Sequence, residues 1–282
     1  MNRTLDTILS QSLRFEYQLG NCTPLKKPHS TGWRTLPGLM CSQAHAGGSE
    51  SIELSDGRMF VAKPGELIVL PAGVFHKVDV VTPREVRRWV HVNYFVFDSL
   101  DLFTLFDVEV LVGKKLGTQI GDQIETWIDI QKDPSKHDAL WLNARCNQFG
   151  FELLASLSQI SKPKPGVGEK WELARELWPV IQYMHANFEK DIERDALAEL
   201  ACLSPAQFHH VFKLTTGATP IDYLRSIRIR HAQQLLITTA DSVYEIARRC
   251  GYEDPFVFSK AFKRVCNASP RDYRATVRGS ES

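Results

Sequence analysis

The last eighty residues of this 282-residue chain say nearly the same thing twice. Phe208-His209-His210-Val211-Phe212-Lys213 is followed by Gly217, Thr219-Pro220 and Tyr223. Phe258-Ser259-Lys260-Ala261-Phe262-Lys263 is followed by Asn267, Ser269-Pro270 and Tyr273, at a constant offset of 50 residues. Such a period marks one supersecondary unit used twice. That limits the fold of this half to two copies of whatever one copy encodes.

Each copy reads as helix-turn-helix. Ser204-Pro205-Ala206-Gln207 is a helix start, with a capping Ser, a Pro suited to the first turn, and Gln three residues on to complete a capping box. Phe208, Val211 and Phe212 recur at helical spacing and mark one buried stripe. Gly217 supplies a left-handed stop. Leu197, Leu200 and Ala201 mark a shorter helix just before, with a tight turn between. In the second copy Ile246-Ala247 lie in the short helix, Gly251 in the turn, and Asp254-Pro255 start the next helix. Phe258, Ala261 and Phe262 face inward, and Asn267 stands for the glycine. Between the copies a helix is expected from about Pro220 to Ile237, with Ile221, Leu224, Ile227, Leu235 and Leu236 as its apolar stripe.

The side chains opposite those stripes are the candidate DNA readers. In the first copy they are Gln207, His209, His210 and Lys213, with Ala206 beside them. Gln pairs with adenine in a bidentate way and His can donate to guanine. In the second copy they are Phe256, Ser259, Lys260, Lys263 and Arg264. Phe256 either packs on thymine methyls or covers Tyr252. Lys213, Lys263 and Arg264 suit phosphates, which position a protein without specifying sequence; Arg248 and Arg249 on the short helix suit the same role. Charge is distributed accordingly. Residues 200–282 carry 12 Lys/Arg against 7 Asp/Glu, and residues 1–199 carry 22 against 26. The basic half is the repeated half, as phosphate contact requires.

From Ile246-Ala247 through Gly251-Tyr252, Asp254–Arg264 and Ser269–Arg274, the repeat resembles the DNA-binding domain of the AraC/XylS family of bacterial transcription regulators. The resemblance covers about residues 171–278. It departs at Asn267, where Gly is usual, and at His209-His210, where Arg is common. It implies double-stranded DNA as partner, a homodimer, RNA polymerase as a further partner and, by analogy, activation.

Length favours two domains. Lys162-Pro163-Lys164-Pro165-Gly166-Val167-Gly168 is the clearest linker, which gives an effector-binding and dimerisation domain at 1–161, a linker at 162–170 and a DNA-binding domain at 171–282. Residues 30–97 read as short strands. Ile52–Leu54 and Met59–Val61 flank Ser55-Asp56-Gly57-Arg58, a hairpin turn. Many short strands with Gly/Pro turns suggest a small β-barrel. From about Ile120 to Ile160 the pattern turns helical, for helices that pack on the barrel or pair between subunits. The N-terminal arm, residues 1–20 with Leu9, Leu13 and Phe15 apolar, is either a switch element or a disordered or barrel-bound tail. The expected fold is thus an N-terminal β-barrel with helices, then an all-α domain with two helix-turn-helix units.

Gly65 through Pro71-Ala72-Gly73-Val74-Phe75-His76 resembles the second cupin motif, and with Arg88-Trp89-Val90-His91 it resembles the sugar-responsive branch of the same family. The resemblance implies a small polar effector, such as a sugar, inside a cupin-like barrel. Its candidate ligands are Arg34 as a clamp, His76, His91 and Asn93 inside the barrel, and Trp89, with Trp33, for stacking. No His-x-His exists, His45 stands alone, and Val80 takes the place of a usual Asn, so no metal and no cofactor is expected. The competing reading is a metal-dependent cupin enzyme tethered to DNA; the incomplete ligand set argues against it, and no enzyme activity is expected. The six cysteines have no C-x-x-C spacing and read as reduced, mostly buried thiols of a cytoplasmic protein. No apolar run is long enough to span a membrane.

Overall fold

The computed structural model describes residues 9–24, 29–46, 48–80, 86–97, 99–266 and 268–279. They form two compact units. One holds residues 13–96 and 101–167, and the other holds the chain from Gly168 onward with residues 9–12 and 97–100. Among the described residues no helix is long and apolar enough to cross a membrane.

The first unit is built from strands β1 (Arg14–Pro24), β2 (His29–Ser30), β3 (Leu39–Ala46), β4 (Glu50–Leu54), β5 (Met59–Ala62), β6 (Leu67–Leu70), β7 (His76–Val80), β8 (Val86–Val96), β9 (Leu100–Asp101), β10 (Phe106–Val108), β11 (Leu111–Val112) and β12 (Ser161–Pro163). One sheet runs β1-β8-β3-β6-β11 with β9 beside β8; a second runs β2-β7-β4-β5; β10 pairs β12. The predicted hairpin forms. Gly57 takes φ +86°, Arg58 N–H donates to Asp56 Oδ1 at 3.0 Å, and β4 pairs β5 from Glu53/Met59 onward.

Strand alternation gives the first sheet two different faces. Met40, Ile68 and Leu70 on one face meet Ile52, Leu54, Ala62, Val78 and Val80 of the second sheet in a shared core. Each such buried aliphatic side chain contributes roughly 1.5–3 kcal/mol. The closed barrel expected from the sequence does not form among the described residues: strands pair only within their own sheets. Both edges of β8 are taken, by β1 and by β3, so it cannot carry the pairing around into the second sheet. The unit is an open sandwich.

Of the N-terminal arm, the described part that follows Leu13 is bound to the sheet. Residues 1–8 lie outside the described residues, but Arg14 onward is β1, an eleven-residue strand paired along β8 from Arg14/Phe95 to Pro24/Val86.

The other face of the first sheet is covered by α1 (Lys114–Gln131) and α2 (Ala139–Ser158). Gly117 and Gly121, four apart and so on one face of α1, let that helix lie flush on the sheet. A Cβ at Gly121 would sit inside the Gln43 amide, and one at Gly117 would collide with the Gly65 carbonyl. Gln43, wholly buried, donates to the Gly117 carbonyl at 2.7 Å and the Gly65 carbonyl at 3.2 Å.

The second unit is helical: α3 (Val167–Ala186), α4 (Arg194–Leu200), α5 (Pro205–Thr216), α6 (Pro220–Thr238), α7 (Val243–Arg249), α8 (Pro255–Cys266) and α9 (Pro270–Gly279). Of the segment read as a linker, Lys162 and Pro163 lie in β12 and Val167–Lys170 begin α3.

Candidate nucleic-acid interface and ligand cavity

The repeat in the sequence is a repeat in space. Ser204 and Gln207 close the capping box of α5, and Ser242 and Glu245 close that of α7. In the first copy Phe208 packs tilted on Phe212 (5.4 Å between ring centroids), and Phe212 meets Tyr223 edge-on at 5.4 Å and 78°. In the second, Phe258 packs tilted on Phe262 (5.8 Å), and Phe262 meets Tyr273 at 5.4 Å and 76°. One three-ring wedge, each pair worth about 0.5–1.5 kcal/mol beyond burial, is therefore built twice. The turns differ. Residues 201–204 separate α4 from α5, and residues 250–254 separate α7 from α8, one residue more. Gly251 carries the left-handed turn at φ +75° in the second copy. In the first, Cys202 does so at φ +54°, and it is exposed there, not buried as expected. Asn267 lies outside the described residues.

With the wedges buried, the opposite faces point outward. Gln207, His210 and Lys213 on α5 and Phe256, Lys260, Lys263 and Arg264 on α8 are exposed, and His209 and Ser259 are half-buried. Phe256 is 83% exposed. Tyr252 packs on Phe258 at 5.3 Å, with the Arg228 guanidinium over its ring, so it is not what Phe256 covers. Gln207 is partly committed: its Oε1 accepts from Ser204 Oγ at 2.8 Å. Arg264 lies 4.0 Å from Asp222, and Arg249 pairs with Asp241.

The α6 stripe is corrected. Ile221 is 61% exposed, and the buried residues are Pro220, Tyr223, Ile227, Ile229, Ala232 and Leu236. Ile229, Ala232 and Leu236 join Ile246, Ala247, Cys250, Phe258 and Phe262 in the core of the second copy, while Tyr223 serves the first. A helix buried on two sides has no single stripe to read.

In the sheet-rich unit, alternation along β8 sends Arg87, Trp89, His91 and Asn93 to the sandwich interior. His91 stands opposite Met40 and Leu19, and Trp89 opposite Ser42 and Asn21. These residues and Arg34 border a cavity of about 470 Å³, which Leu19, Leu36 and Met40 also line. Arg34 bridges to His76 across the two backbones. Of the five predicted effector residues, Arg34, Trp89 and His91 line this cavity. His76 and Asn93 are buried close by, His76 Nε2 and Asn93 Oδ1 each without a hydrogen-bond partner. Trp33 instead pairs with Phe75, and both are exposed.

Two charged networks were missed in the sequence. Arg87 donates to wholly buried Glu50 at 2.5 Å and to Ser42 Oγ at 2.8 Å, and Ser42 Oγ donates to Glu50 at 2.7 Å. On the opposite face Arg88 pairs with Asp122 at 2.6 Å and with Glu125 of α1. Two adjacent arginines before an alternating strand are the signal: one must face each side.

His91, 7% exposed, has its pKa lowered to about 4, first by burial and then by Arg34, His76 and Arg87. Its neutral form is thus preferred in the folded state. Between about pH 4 and the ordinary value of 6.5 the unfolded chain binds the extra proton, so stability falls as pH falls through that window. At pH 5 the expected loss relative to pH 7 is about 2 kcal/mol, from the logarithm of the two titrations at 1.36 kcal/mol per unit. Urea unfolding of the native chain and of His91→Gln at both pH values checks this: the variant should lose that much less. Equal pH dependence in the two would refute the assignment to His91.

Residues 197–276 match the model of a helix-turn-helix domain. Over 264 residues the chain is 26% identical to the HTH-type transcriptional regulator AlkR of Acinetobacter baylyi, covering 80% of this chain and 85% of that one. It is 34% identical to the lactose operon transcription activator of Staphylococcus xylosus over 94 residues, 33% of this chain and about a third, 34%, of the activator. Among solved structures, the DNA-binding domain of AdpA in complex with a target DNA is 32% identical, covers 37% of this chain and 95% of that one, and superposes with a TM-score of 0.36. A matched helix-turn-helix domain, a regulator similar over most of the chain, and a doubled unit with its reading faces outward agree: the chain carries a helix-turn-helix domain and is similar over most of its length to a transcription regulator, in line with its resemblance to the AraC/XylS family.

Proposed function

We propose that the protein is a ligand-controlled transcription activator, with residues 1–161 as effector-binding and dimerisation domain, a linker within 162–170, and residues 171–282 on DNA. The observation that carries the DNA half is the duplicated three-ring wedge. It fixes α5 and α8 so that both outward faces carry cationic and polar side chains. Held by α6, the two helices enter successive major grooves, about 34 Å apart along the duplex. Lys260 and Ser259, with Gln207, His209 and His210, read bases; Lys213, Lys263 and Arg264 hold phosphates; Phe256 meets thymine methyls. The protein acts in the cytoplasm as a homodimer that recruits RNA polymerase.

The effector half rests on the cavity bordered by Arg34, Trp89 and His91, with His76 and Asn93 behind it. A small polar effector there shifts the balance between two arrangements of the regulator, which requires it to bind one more tightly than the other. A sugar is the class that the resemblance to the sugar-responsive branch favours. The likeness to the lactose operon activator spans only a third of this chain. The reading as a metal-dependent enzyme is not kept, because the relatives are regulators.

The test of DNA reading uses an operator selected by the native protein from random duplexes. Lys260→Ala should cost about 1–3 kcal/mol on that operator and relax specificity at one base, and Lys263→Ala should weaken all sequences alike and lower the salt slope by about one. Gel-shift titrations at several salt concentrations measure both; unchanged affinity in both variants would overturn the groove assignment.

A further inference from the structure

The cavity in the sandwich has an unbalanced charge. It contains two guanidinium groups, and no Asp or Glu lines it. Arg87 is neutralised by Glu50. Arg34 makes no side-chain hydrogen bond or ion pair among the described residues, and its Nε is buried without a partner. Burial first and Arg87 next lower the Arg34 pKa, with the Glu50 carboxylate, already bound to Arg87, opposing them, yet a guanidinium stays charged at any physiological pH. His76, outside the lining, donates from Nδ1 to the Val74 carbonyl at 2.8 Å, which leaves its buried Nε2 an acceptor without a partner and adds no second cation. A partly buried cation without a counter-ion is costly unless a ligand supplies one. The rest of the wall is mixed: Leu19, Leu36, Pro37, Met40 and the Trp89 ring are apolar, and Gln18, Asn21 and Thr31 are neutral polar groups.

We propose that the effector is a small organic monocarboxylate with an apolar body, its carboxylate on Arg34 and its body against Leu19, Leu36, Met40 and Trp89. This rests on the reading of the cavity as the effector site and narrows its class. A planar guanidinium matches a carboxylate bidentately, and the charge-assisted pair is about twice as strong as a neutral one. A neutral sugar would leave Arg34 uncompensated.

The test is isothermal titration calorimetry on the full chain with benzoate and hexanoate, their uncharged counterparts benzamide and hexanamide, and the neutral sugars arabinose and lactose. Each is repeated with Arg34→Gln and Arg34→Lys, and with Leu36→Trp, which fills the cavity. Arg34 has no side-chain partner to lose, so its variants keep the fold. Expected is saturable binding of a carboxylate, at least about tenfold weaker for its amide and in Arg34→Gln, partly restored by Arg34→Lys, and abolished in Leu36→Trp. If amides or sugars bind as well as carboxylates, are indifferent to Arg34→Gln and are lost in Leu36→Trp, the carboxylate proposal falls and the effector cavity stands. If no probe binds, or binding survives Leu36→Trp, both fall.

Discussion

Replacing Glu50 by Ala should lower the stability of the sheet-rich unit by about 3–5 kcal/mol, because it leaves the Arg87 guanidinium buried with no anion. Glu50 is wholly buried and accepts from both Arg87 and Ser42, so its removal orphans two donors at once. A unit of this size should melt roughly 10–15 °C lower. The double variant Glu50→Leu/Arg87→Met is the informative partner. Removing both charges should recover most of the loss, since an apolar pair of similar volume is often neutral or better. Calorimetry of the full chain measures both, with excess duplex DNA raising the transition of the helical unit and so identifying it. A Glu50→Ala transition unmoved from the native one would show that Arg87 finds water or another acceptor.

Phe258→Ala should destabilise the second helix-turn-helix copy by about 3–5 kcal/mol, the usual result of truncating a buried Phe. Its ring is fully buried between Tyr252 and Phe262 and sits in the core that α6, α7 and α8 share. Against a total stability of about 5–15 kcal/mol, that loss removes much of the margin that holds α8 in place, and operator binding should fall with it. Phe208→Ala should do the same for the first copy. Phe256→Ala, two residues from Phe258 but 83% exposed, should change stability by less than about 0.5 kcal/mol while still weakening DNA binding. Far-UV circular dichroism melts combined with gel shifts separate the two effects. Similar destabilisation by Phe256→Ala and Phe258→Ala would contradict the assignment of faces.

The helical half was legible because its information is local and stated twice. The Ser204/Gln207 capping box, the i, i+3, i+4 spacing of Phe208, Val211 and Phe212, and the matched Thr219-Pro220 and Ser269-Pro270 starts each point to one conformation within a few residues. The stripe of α6 was not, since Tyr223 and Leu236 are buried in different copies and only tertiary structure says which. In the sheet-rich half, the 55–58 hairpin was readable from its turn. The extent of β1 was not: Arg14-Phe15-Glu16-Tyr17-Gln18 looks like a polar tail until it lies beside β8. Sheet closure was equally invisible, because pairing partners far apart in the chain leave no local trace. His91 was placed inside by its position in the strand, whereas Arg34 and Trp89 came from the family resemblance alone. The Glu50–Arg87 pair that leaves Arg34 as the uncompensated cation was missed.

The alternation of β8 has a mechanical side. Arg87, Trp89 and His91 face the cavity; Arg88, between them, grips Asp122 and Glu125 of α1. Successive side chains of an extended strand are fixed on opposite sides of one stiff backbone. The backbone that carries Trp89 and His91 on one side therefore carries Arg88 on the other, and α1 lies close against the sheet there, on the Gly65 backbone at Gly117 and on the Gln43 amide at Gly121. One strand thus ties the cavity wall on one face to a helix on the other.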